Sequence, residues 1–127
     1  MSSLARLLLK TRELISPTVV TKAKTLTTAE ATYGVIVANV NATATVTFVL
    51  PPAVPGMRVM AVVKAAFELR IDPFGTQTIS LPSTGVQGAA GKFITADALS
   101  ESVELFCIVA GTWDSFGATD GIWAAEA

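Results

Sequence analysis

The chain of 127 residues contains no histidine and a single cysteine, Cys107. Without histidine, the commonest general base at neutral pH is missing. With one cysteine besides, an intramolecular disulfide and a Cys/His metal site are both excluded. No metal and no other cofactor is expected. Charge is scarce too: 15% of residues are charged, against about 25% in average domains. Hydrophobic residues make up 51%, and a domain of this size has much surface for its volume. Part of that apolar excess is therefore expected in contacts between chains, and a lone monomer is not. A long apolar run is also missing. The uncharged stretch from Ala31 to Met57 is broken by Asn39, Asn41, threonines and Pro51, Pro52 and Pro55. It offers no span of the roughly 20 apolar residues that a membrane helix needs. Arg6 and Lys10 bracket only Leu7, Leu8 and Leu9, too short a core for a signal peptide. Synthesis in the cytosol and no contact with membrane are the expectations.

The charges present are unevenly placed. Residues 1–24 carry Arg6, Lys10, Arg12, Lys22 and Lys24 against Glu13, and the remaining chain is acidic. This is the pattern of a basic arm on an acidic body. Leu4, Leu7, Leu8, Thr11, Leu14 and Ile15 recur at helical spacing, which predicts an amphipathic helix capped by Ser2 or Ser3 and ended by Pro17. About four turns of helix are marginal alone, so this one must pack on something. Residues 1–17 are thus expected to form a helical or extended docking arm, and residues 18–127 a β domain.

From Thr18 onward threonine and valine dominate, with Gly and Pro at short intervals. Strands are predicted near residues 19–26, 33–39, 44–50, 57–64, 68–72, 76–81, 92–96, 102–109 and 112–116. Asp72-Pro73-Phe74-Gly75 has turn chemistry, and Ala110-Gly111 is expected to link two strands tightly. Pro82 to Gly91 is predicted to be a small-residue loop and not a phosphate cradle, since it lacks a GK[ST] ending. The expected class is mainly β, an antiparallel sandwich, jelly roll or small barrel, preceded by the short N-terminal helical arm. Cys107 sits in an apolar run, which predicts a buried small hydrophobe.

Catalysis is hard to assemble from what remains. Glu68 and Asp72 share a strand face; Asp97, Glu101 and Glu104 cluster around a turn; Asp114 and Asp120 lie near the C-terminus. No spacing matches a calcium loop, and surface solvation accounts for strand-edge carboxylates. No enzymatic activity is expected. Trp113, Trp123, Tyr33 and Phe93 are candidates for a sugar platform, though aromatics in a β domain more often pack in cores or interfaces. The acidic body disfavours nucleic-acid binding by the β domain.

One family-level resemblance spans residues 24 to 123. It is carried in order by Thr25-Leu26-Thr27, Val46-Thr47-Phe48-Val49-Leu50-Pro51, Gly56, Glu68-Leu69-Arg70-Ile71-Asp72-Pro73 with Gly75, and Thr78-Ile79-Ser80-Leu81-Pro82. Gly85-Val86-Gln87-Gly88, Gly91-Lys92-Phe93-Ile94-Thr95 and Val109-Ala110-Gly111-Thr112-Trp113 complete it. This order resembles small β-structured proteins of tailed bacteriophages, which serve as capsid decoration, head-fibre or tail-fibre-like proteins. The resemblance implies assembly, often as trimers, and offers no catalytic residue. The expectation is a capsid decoration (cement) protein, a homotrimer on the capsid surface of a virion assembled in the host bacterial cytoplasm. It would dock to the major capsid protein through Leu4, Arg6, Leu7, Leu8, Lys10, Arg12, Leu14 and Ile15 and stabilise the shell by avidity. The rival expectations are a head- or tail-fibre base domain and a carbohydrate-binding β module. For the arm, the rival is a helix that plugs the body or zips the oligomer together.

Overall fold

A computed structural model describes residues 18–115 and 120–127. The predicted helical arm, residues 1–17, lies outside the described residues. The order of elements is β1 (Thr18–Val20), β2 (Lys24–Thr25), α1 (Thr28–Tyr33), β3 (Val35–Ala38), β4 (Val46–Val49), β5 (Arg58–Val62), β6 (Leu69–Asp72), β7 (Thr78–Ile79), β8 (Ile94–Ala96), β9 (Ser102–Phe106), β10 (Thr112–Ser115) and β11 (Ala124–Ala125). No helix among them is long and apolar enough to cross a membrane.

From β1 to β8 each strand lies in the opposite sheet from the one before it. Sheet I has six strands in the order β1-β3-β5-β9-β10-β7, and sheet II has five in the order β11-β8-β6-β4-β2. The first half of the chain therefore coils. Thr18, Val35 and Val59 stack in one sheet, and Lys24, Phe48 and Ile71 in the other. Parallel neighbours need a crossover connection, usually a helix; here the crossover is a strand of the facing sheet. Parallel pairing thus arises without βαβ units. Five of the nine pairings among the described residues are parallel. The mainly β, two-sheet expectation holds. The antiparallel and jelly-roll versions do not, because alternation along a strand tells which face is buried and not which neighbour pairs. The sheets do not close into a barrel, since each keeps two edge strands.

The two inner faces share one core. Val35, Val37, Val59, Ala61, Val103, Leu105, Ile79 and Trp113 come from sheet I, and Phe48, Leu69, Ile71, Ile94 and Ala96 from sheet II. Leu26, Leu50, Met57 and Trp123 fill in from connecting segments. Two elements escaped the sequence reading. Helix α1 starts at a capping box, in which Glu30 N–H donates to Thr27 Oγ1 at 3.2 Å and Thr27 N–H to Glu30 Oε1 at 2.8 Å. Its only fully buried side chain, Ala31, faces the core, and Gly34 at φ +91° ends it. Strand β11 pairs with β8 and carries the C-terminal residues back to sheet II. One predicted turn is displaced. The hydrogen-bonded turn runs from Phe74 to Gln77, whose N–H reaches Phe74 O at 3.0 Å, with Gly75 at φ +55°.

Candidate functional site

The predicted docking residues Leu4, Arg6, Leu7, Leu8, Lys10, Arg12, Leu14 and Ile15 all lie outside the described residues. The place where they join the body is described. Thr18 N–H donates to Gly34 O at 3.3 Å, so β1 begins beside the start of β3. Because β1, β3 and β5 are parallel and β9 is antiparallel to β5, this end also holds the start of β5 and the finish of β9.

Two uncharged loops meet at that end. Leu50-Pro51-Pro52-Ala53-Val54-Pro55-Gly56-Met57 enters β5, and Cys107-Ile108-Val109-Ala110-Gly111 leaves β9. Backbone hydrogen bonds tie them into one surface: Gly56 N–H to Cys107 O at 2.9 Å, Cys107 N–H to Met57 O at 3.0 Å, and Gly111 N–H to Ala53 O at 3.1 Å. Gln77 Oε1 accepts from Ala53 N–H at 2.8 Å and ties in the Phe74 turn. The loops spend their polar backbone groups on each other and turn apolar side chains outward. Val54 is 49% exposed, Phe74 49%, Ile108 55% and Val109 61%. Beneath them Cys107 is buried as expected, its Sγ–H directed to Val109 O at 3.3 Å. Burial first, then the Asp114 charge, push its thiol pKa upward, which keeps it protonated and unreactive.

The apolar surface continues onto the outer face of sheet I. Strand register lines up Val19, Ile36, Met60 and Glu104 across four strands. Beside that row, Arg58 lies over the Phe106 ring at 5.4 Å. Tyr33, Ile36, Arg58, Met60, Glu104 and Phe106 border a shallow groove of about 140 Å³. Sheet II is different outside. Its matching row is Thr47, Arg70, Thr95 and Ala124. Arg70 grips Glu68 with Nε at 2.9 Å and Nη2 at 3.1 Å, and lies 4.5 Å over the Phe93 ring. Thr95 Oγ1–H reaches Glu68 Oε1 at 3.1 Å and Leu69 O at 3.0 Å. Hydrogen bonding to Arg70 is the chief cause that holds the Glu68 carboxyl below its ordinary pKa. Among the described residues, one outer face carries a hydrogen-bonded polar row, and the other carries Val19, Ile36 and Met60 beside Arg58 and Glu104.

Against known families, curated proteins and solved structures, the chain finds no match.

Of the carboxylates singled out from sequence, Glu68, Asp97 and Glu101 line one cavity on sheet II together with Thr95 and Ile122. Glu101 is buried and turns to the C-terminal segment. Its Oε1 accepts from Asp97 N–H at 3.2 Å and Ala98 N–H at 2.8 Å, and its Oε2 from Ile122 N–H at 2.5 Å. Burial raises its pKa, but the three donors outweigh burial and hold the carboxyl below the ordinary range. Glu104 instead borders the groove, and Asp114 accepts from Gln87 Nε2 at 3.0 Å. Asp72, in β6, has its pKa raised by burial and then by the Glu126 charge. Among the described residues no three metal-ligating side chains gather at one point. Trp113 and Trp123 are 0% and 2% exposed, so both are core residues and neither presents a sugar platform. Trp123 donates Nε1–H to Ser102 O at 3.0 Å; Trp113 Nε1–H has no partner among the described residues.

Sequence reasoning placed docking on residues 1–17 and did not single out the exposed apolar loops at this end of sheet I. The signals were the uncharged runs 50–57 and 107–113, read there only as strand ends and a tight link.

Proposed function

We propose that the chain is a structural virion protein, a capsid decoration (cement) protein that acts without catalysis. Its β body assembles as a homo-oligomer, with three copies favoured, on the capsid surface. Its N-terminal residues 1–17, as a helical arm, bind neighbouring copies of the major capsid protein. The observation that carries the reading is the apolar end of the sandwich. Val54, Phe74, Ile108 and Val109 stand half-exposed on loops fixed by backbone hydrogen bonds, and Thr18, to which residues 1–17 are joined, begins β1 at the same end. A rigid apolar patch is what contact between copies needs. Arms that leave beside that contact can reach the shell from several copies at once, so weak contacts sum. The phage resemblance of residues 24 to 123 points to the same role. The polar row on sheet II suits a face left toward water.

Co-sedimentation with intact capsids tests the proposal. The full-length protein is expected at near-stoichiometric copy number, and Leu7→Asp with Leu14→Asp is expected to abolish binding, because it forces charge into an apolar contact. Light scattering should show an oligomer that Ile108→Asp dissociates. A stable monomer at micromolar concentration, or no binding to capsids, would overturn the reading. A few copies per particle would replace it with a fibre base.

A further inference from the structure

Strands β3 and β5 have the composition of strands covered on both faces. Val35-Ile36-Val37-Ala38 and Val59-Met60-Ala61-Val62-Val63 are continuous apolar runs, whereas a strand with one wet face alternates. The two strands pair in parallel, an arrangement that as a rule keeps both faces away from water. Among the described residues the core covers only the inner face, through Val35, Val37, Val59 and Ala61. On the outer face Ile36 and Met60 are half-buried, Tyr33 is 59% exposed and Val19 is 62% exposed. Sheet II shows no such mismatch, for Thr47, Arg70 and Thr95 alternate with its core residues.

The occupant that fits is attached at the mouth of the groove. Residues 1–17 end where Thr18 bonds to Gly34, and Gly34 lines the groove. A helix over residues 2–15 is about 20 Å long at 1.5 Å per residue. From β1 to β9 is three strand spacings, roughly 14 Å at about 4.8 Å each. The stripe of Leu4, Leu7, Leu8, Leu14 and Ile15 therefore has the reach to cover Ile36 and Met60. Charge agrees as well. Residues 1–17 carry Arg6, Lys10 and Arg12 against Glu13, and the groove offers Glu104 to a cation and Arg58 to Glu13.

We infer that, in the protein free of any capsid, residues 1–17 lie in the groove of the same chain with their apolar stripe on Ile36 and Met60. This goes beyond the decoration role, because it concerns the unattached state. The stripe is kept from water until another surface competes for it.

Hydrogen exchange read by mass spectrometry on the full-length protein, with no capsid present, tests this directly. Amides of residues 4–15 are expected to exchange at least about tenfold slower than in an unstructured peptide. That protection should be unchanged on about hundredfold dilution, since the contact is within one chain. Met60→Lys on the body and Leu7→Asp on the arm should each remove it and leave β3, β5 and β9 exchanging as before. The arm variant cannot unfold the body's core, which keeps the test valid if the Met60 variant folds poorly. Unprotected amides in the wild type, protection that survives Leu7→Asp, or protection lost on dilution would each overturn the inference. None of these outcomes bears on whether capsids are bound.

Discussion

Replacing Glu101 with glutamine tests the way the C-terminal segment is held. The carboxylate accepts three backbone N–H groups, two on Oε1 from Asp97 and Ala98 and one on Oε2 from Ile122. In Glu101→Gln the amide oxygen can keep the Asp97 and Ala98 bonds, but the NH₂ group then faces the Ile122 N–H, donor against donor. One charge-assisted bond is lost and the other two weaken, a cost of about 2–3 kcal/mol. For a domain of this size that lowers Tm by roughly 8–12 °C. The pH profile follows from the direction of the pKa shift. The folded carboxyl titrates below its ordinary value, so its contribution is complete above the unfolded-state pKa. The contribution falls away as the pH drops through the folded-state pKa. Thermal melts from neutral to about pH 3 should thus show a steeper acid loss in the wild type than in Glu101→Gln. Gly121 adds an independent check. It sits at φ +82°, and a Cβ there would overlap the Glu101 carboxylate. Gly121→Ala should therefore destabilise the wild type more than it does Glu101→Gln, where the clamp is already loosened. A glutamine variant with wild-type Tm and an unchanged acid slope would refute the clamp.

Two further outcomes are expected from buried polar groups. Trp123→Phe should cost about 1 kcal/mol more than Trp113→Phe in urea unfolding, because only Trp123 gives up a hydrogen bond; the reverse order would contradict the assignment. Asn39 donates Nδ2–H to Ala65 O and Phe67 O, both at 3.0 Å, and accepts from Lys64 and Ala65 N–H at 2.7 and 3.1 Å. Asn39→Asp sets oxygen against two carbonyls and should cost on the order of 3 kcal/mol in the same assay, more than an exposed Asn41→Asp.

The parts legible in the sequence were those that depend on one segment at a time. Val46-Thr47-Phe48-Val49-Leu50 alternates, and Phe48 and Leu50 are indeed buried. Most predicted strands exist, trimmed at their ends, and the predicted strand over residues 19–26 splits into β1 and β2 in different sheets. Helix α1 was missed because it interrupts a threonine-rich β stretch, although Thr27 and Glu30 carry its capping signature in plain view. The turn at Asp72 was misplaced because Pro73 suits a turn start, while Leu50 N–H takes Asp72 O at 2.8 Å and keeps that residue in sheet register. The Glu101 clamp was out of reach, since its third donor is Ile122, brought near only by the return of the C-terminal segment.

The candidate site divides the same way, and the division explains why it is found at one end of one sheet. Each apolar run could be read alone: the stripe in residues 1–17, the continuous runs of β3 and β5, the uncharged loops around Val54 and Ile108. Which of them share a surface is decided by register. Parallel pairing sets the starts of β1, β3 and β5 side by side, so segments that precede those strands must emerge together. Residues 1–17 precede β1, α1 precedes β3, and the proline loop precedes β5. An antiparallel order would have sent the entrance to β3 to the opposite end. The coil of alternating strands is therefore what gathers Thr18, the groove and the apolar loops in one place. Lengthening the stretch between β1 and β3 would leave that gathering intact, whereas reversing a strand's direction would break it.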